Sequence, residues 1–174
     1  LLWVDAGEVY FKVDSAKLDG KQLYHFKSYG ESYRFYDWFF KVRNNFESIV
    51  DPDSFQPQWF SRRTSEGGFK VNNEYTWDYE NKLIYSSTEN SERTLKKNPI
   101  GFSDCTFDVL SAIYYARNIN FQDLATNDSV PINFIIDGEI HKLYIKFLKE
   151  EQVENRDGKI YNCIKFSAQV AAGT

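Results

Sequence analysis

Methionine is missing altogether from these 174 residues, and cysteine, histidine and proline are scarce at two, two and four. Each shortage removes a class of chemistry. Cys105 and Cys163 stand too far apart for a C-x-x-C motif, and two cysteines cannot build a dense disulfide framework. They read as free thiols serving as small hydrophobes. His25 and His141 sit in separate strand-like stretches without H-x-x-x-H or H-E-x-x-H spacing, so no metal site and no cofactor is expected. The lack of methionine marks either a biased composition or a chain whose further segments carry it.

Charge of one sign is equally lacking. Twenty-one basic against 25 acidic residues leave a net charge of −4. No long run of either sign occurs, so the electrostatic footprint of a phosphate-backbone binder is missing and nucleic acid is not an expected partner. No apolar run approaches the roughly 18 residues that would cross a membrane as a helix, and no basic segment followed by an apolar one opens the chain. A soluble domain is expected, already processed if it is exported. Catalytic groupings are missing as well. Ser111 has no G-x-S-x-G context, and neither Asp104 with Asp108 nor Glu139 with Glu150 has a spacing that fixes a carboxylate pair. No catalytic residue is nominated.

What is present points to a single, mainly β domain over residues 1–174. Asp-Gly pairs at 19–20, 137–138 and 157–158 supply the positive φ angles that tight hairpins need. Further turns are readable at 51–54, 65–68 and 79–82. Residues 69–79 alternate strictly, with Phe69, Val71, Tyr75, Trp77 and Tyr79 on one face. Strands are expected near 7–14, 21–29, 42–50, 56–63, 69–79, 82–88, 131–136, 139–149, 151–156 and 159–166. The polar stretch 87–99 reads as a surface loop with room for a short edge strand. Two segments break the pattern and read as short helices, the aromatic 33–42 and residues 106–117, with Thr106 as N-cap and Asp108 in the first turn. The second is apolar nearly all round, which places it inside a curved antiparallel sheet. Its Ser111 reads as a packing serine bonded back to its own turn.

The stretches "DAGEVYFKVD", "YDWFFKVRNNFESIVDPDSFQPQWFSR", "FDVLSAIYYAR" and "GKIYNCIKF" occur in an order that resembles domain of unknown function 3108, an exported-protein family of Gram-negative bacteria abundant in Bacteroidetes. The most specific parts are D-x-L-S-A-x-Y-Y-x-R from Asp108 to Arg117 and V-R-x-x-F-E-S from Val42 to Ser48. The resemblance implies a periplasmic or cell-envelope location after signal-peptide removal. It also implies a half-barrel similar to periplasmic lipoprotein carriers, wrapped around a buried helix. On that pattern a further first strand is expected before Leu1 and closing strands after Thr174.

These readings lead to a non-enzymatic protein that binds an apolar or amphiphilic ligand, or a lipid-modified partner, in the concavity of the sheet. A lipid or lipoprotein is the expected partner. Leu110, Tyr114, Arg117 and Trp77 are the candidate ligand-binding residues, with a dry pocket expected beside 107–117. Arg117 ends the apolar helix, where a guanidinium suits an acidic head group or, alternatively, a salt bridge to a strand carboxylate. Competing expectations are an envelope scaffold without a small ligand, a glycan-binding module using exposed aromatics, and a hydrolase.

Overall fold

The computed structural model of the chain describes residues 5–18, 20–103 and 105–170. It is mainly β, with one large antiparallel sheet, a small second sheet and one short helix, and no closed barrel. The large sheet is a meander of seven strands in chain order: β1 Gly7–Leu18, β2 Lys21–Ser32, β3 Val42–Val50, β4 Pro57–Glu66, β5 Phe69–Asp78, β6 Leu83–Asn90 and β7 Lys96–Gly101. The small sheet runs β11-β10-β9-β8, built from β8 Thr106–Phe107, β9 Ser129–Ile136, β10 Glu139–Glu154 and β11 Ile160–Val170. The helix α1, Val109–Ala116, lies between β8 and β9, and this crossover makes their pairing parallel where all others are antiparallel.

Turn residues set the registers. Asp137 and Gly138 both take positive φ, 51° and 81°, so a two-residue turn places Ile136 opposite Glu139. Gly67 and Gly68 do the same between Glu66 and Phe69. Asp19 lies outside the described residues, but Leu18 pairs with Lys21 across that turn.

Because hairpin neighbours pair directly, inward side chains line up across the large sheet as Phe26, Ser48, Phe60, Tyr75 and Ser86. Phe60, Tyr75, Trp77 and Ile84 join Ile135 of β9 in one cluster. Phe26 and Val50 join Leu110 of α1 in another. The large sheet is thus covered by two things side by side, α1 over β2 and β3 and the β9–β10 hairpin over β4 to β6. The expected helix is therefore only one part of what fills the sheet, and its outer face is open: Ile113 is 45% exposed.

Other differences are local. In place of the helix expected over 33–42, residues 34–39 form consecutive turns that return the chain from β2 to its neighbour β3, to which Val42 already belongs. Thr106 belongs to β8, and Asp108 is the N-cap. The expected strands 139–149 and 151–156 are one strand, β10, whose irregularity is absorbed by a register shift between Phe147 and Lys149.

Candidate functional site

The N-terminus of α1 holds a densely bonded, fully buried polar cluster. Asp108 Oδ1 accepts from the backbone N–H of Leu110 at 2.8 Å and of Ser111 at 3.0 Å. Ser111 completes a capping box, its Oγ accepting from the Asp108 N–H at 2.9 Å and donating to Asp108 Oδ2 at 2.8 Å. Ser48 of β3 donates to the same Oδ2 at 2.6 Å. The carboxyl has no exposure, and burial pushes it up to about 6 although these donors pull it down. Every lone pair that faces a donor is occupied, so this group fixes where α1 starts and has no free acceptor for a ligand. Asp104 lies outside the described residues.

On the other side of this helix start, a groove of about 980 Å³ opens between the segment leading into α1 and the β9–β10 hairpin. Its floor is aromatic and aliphatic. Phe107 stacks on Tyr115 with ring centroids 4.6 Å apart, Phe102 stands edge-on to Tyr79, and Ile132 and Ile140 complete the wall. Lys142 and His141 stand at its edge, and Lys142 makes no ion pair among the described residues. Cys105 also lines it, and burial pushes its thiol up to about 11, so it stays protonated and slow to react. Cys105 and Cys163 are both free.

The four residues nominated from the sequence are divided between two regions. Leu110 is 1% exposed and sealed between Phe26 and Val50. Tyr114 is half-buried and stacks on Phe26 at 4.0 Å. Arg117 lies over the Tyr114 ring at 5.9 Å, and among the described residues it makes no ion pair, so the expected structural salt bridge is replaced by a cation–π contact. Trp77 is buried in the other cluster, its Nε1 donating to the Thr106 carbonyl at 3.0 Å, directly under the groove. The face of α1 toward β2 and β3 is filled, and the open space lies on its Phe107–Tyr115 side. The spacing of "FDVLSAIYYAR" points to the helix correctly but cannot tell its two faces apart. The groove residues Phe102, Ile132 and the pair Ile140 and Lys142 come from a loop, β9 and β10 respectively, where periodicity marks only burial.

Among the described residues, no group of three or more His, Cys, Asp or Glu side chains could hold a metal ion. No described helix is long and apolar enough to cross a membrane. No curated protein matches the chain. No solved structure matches it either. A family model does, described as Protein of unknown function (DUF3108), over residues 1–174.

Proposed function

The chain belongs to that family, and from this premise we propose that it is a non-enzymatic, exported envelope protein holding one amphiphile, an acyl chain with an anionic head, in the groove beside α1. The observation that carries this reading is the groove's lining: an aromatic and aliphatic floor with an unpaired lysine at the rim. About 980 Å³ is at the upper end of the usual range for small-molecule sites. An acyl chain lying on Phe107, Tyr115 and Ile132 is driven by the apolar area it removes from water. Lys142 and His141 supply donors to a carboxylate or phosphate at the edge.

A scaffold without a ligand is favoured by one observation, the burial of Leu110 against Phe26 and Val50, which needs no guest to complete it. Titration of the purified protein with fatty acids of increasing length, and with their methyl esters, separates the two. For the carrier, affinity rises about fourfold for each buried methylene. Lys142→Gln weakens the acids about tenfold and leaves the esters unchanged. Occupancy slows further the already slow alkylation of Cys105, followed at alkaline pH, while Cys163, on β11, reacts as before. Binding at no chain length, or binding that leaves Cys105 unprotected, removes the groove as the site. An equal selectivity loss in Arg117→Gln moves the head group to the Tyr114 side of α1.

A further inference from the structure

Among the described residues, the segment between β2 and β3 carries the three most exposed large hydrophobic side chains, Trp38 at 82%, Phe39 at 79% and Phe35 at 76%, with Phe40 beside them at 50%. Burying such rings is among the largest apolar gains available to a chain, and here they face water. The segment is nevertheless held in a defined shape. Asp37 is gripped by Arg43 through two bonds, at 3.1 and 2.6 Å, and by Ser32 Oγ at 2.6 Å. Ser32 Oγ in turn accepts from the Val42 N–H at 2.9 Å, and the Lys41 carbonyl accepts from the Gly67 N–H at 2.9 Å. Phe40 lies on Gly67, where no side chain would fit. Beside the rings a mainly apolar hollow of about 620 Å³ is walled by Ala6, Val9, Tyr36, Phe39, Phe40 and Val42; Glu8 and Glu31 also line it, and Glu31 is paired with Arg43 at 3.5 Å.

The charges on the segment identify what this surface meets. Asp37 is neutralised by Arg43, while Arg34 and Lys41, one at each end of the aromatic row, are exposed and make no ion pair among the described residues. Tryptophan and phenylalanine projecting from a braced turn, flanked by free cations, match the layering of a bilayer surface, with rings at the acyl boundary and cations among the head groups. The one carboxylate within residues 33–41, Asp37, is already committed to three bonds, so it offers no open acceptor beside Trp38. We propose that residues 33–41 are a membrane-interface anchor that inserts Phe35, Trp38 and Phe39 into an anionic lipid surface, with Arg34 and Lys41 at the head groups. This rests on a different region from the groove and does not require that the groove bind anything.

The test uses the whole chain with vesicles of phosphatidylcholine, alone or mixed with phosphatidylglycerol. The protein is expected to co-float with the mixed vesicles. Binding shifts Trp38 emission to the blue and makes it quenchable by brominated acyl chains, and the shift is absent in Trp38→Phe although binding persists. Trp38→Ala with Phe39→Ala keeps the far-ultraviolet spectrum and loses about tenfold or more in vesicle affinity. Arg34→Gln and Lys41→Gln each lose about fivefold on mixed vesicles only. Absence of vesicle binding, or undiminished binding by the double alanine variant, overturns the proposal. So does a Trp38 shift that appears with protein concentration alone, which indicates a second copy, or with oligosaccharide in place of lipid.

Discussion

Asp108→Ala is expected to destabilise the protein by about 3 kcal/mol, the sum of a lost N-cap and the buried donors left without a partner. The wild-type carboxyl takes hydrogen bonds from Leu110, Ser111 and Ser48 at 2.6 to 3.0 Å in a site with no exposure. Alanine supplies no acceptor, so the donors from Leu110, Ser111 and Ser48 lose their partner in a site with no exposure. Asp108→Asn should cost much less, because its amide oxygen can accept from the two backbone N–H groups while its nitrogen donates to the Ser48 hydroxyl. Urea unfolding of the two variants checks this; equal losses would mean that the charge, not the cap, is what the site needs.

The same residue sets a pH dependence. Its carboxyl lies at about 6 in the folded chain against the ordinary 3.8. Between these values the native state binds more protons than the unfolded one, so stability falls as pH rises from about 4 to about 6 and levels off above that. The stability lost across that window is about 3 kcal/mol. Asp108→Asn should flatten that segment of the stability profile, and a slope that persists in the variant would place the titration elsewhere.

Leu110→Ala should cost about 3 kcal/mol, within the range of buried leucines that leave a cavity. Leu110 is 1% exposed, Val50 0% and Phe26 3%, and the Phe26–Tyr114 stack closes one side, so the site has little freedom to collapse. Ile113→Ala, on the next turn of the helix but 45% exposed, should change stability by less than about 0.5 kcal/mol. A loss below about 1 kcal/mol for Leu110→Ala would show that α1 does not seal this end of the sheet.

Much of the fold was legible where one residue type settles the local backbone. The Asp137-Gly138 and Gly67-Gly68 turns need positive φ, and the alternation over 69–79 reappears as buried Tyr75 and Trp77 opposite exposed Glu74 and Thr76. Residues 33–42 misled because aromatic spacing reports where rings are, not whether a core receives them. There the ring-bearing segment is bent by the Asp37–Arg43 pair and turned outward. Strand β7 lies at the end of the polar stretch for which a short edge strand was expected, but its bounds were not legible, since an edge strand with exposed faces has no apolar period to display. Leu110 was singled out as a ligand contact, and the structure places it as a buried neighbour of Phe26 and Val50. The groove beside it depends on residues up to several strands apart, which no local pattern brings together.

The turn at Asp137 and Gly138 also governs how the protein comes apart. Asp137 accepts from Arg62 at 3.0 Å and from Asn73 at 2.9 Å, and the Gly138 N–H donates to the Tyr75 hydroxyl at 3.0 Å. This clasp joins the two sheets across sequence separations of 63 to 75 residues, whereas the meander pairs only adjacent strands. With Ile135, Phe60 and Tyr75 in one cluster, amides of β4, β5 and β9 should exchange hydrogen through a single cooperative opening, while the edge strands β1 and β11 fray independently. Asp137→Gly keeps the positive φ and deletes the carboxylate, so β9 should then exchange faster than β5. Unchanged, shared exchange rates in that variant would assign the cooperativity to the apolar contact alone.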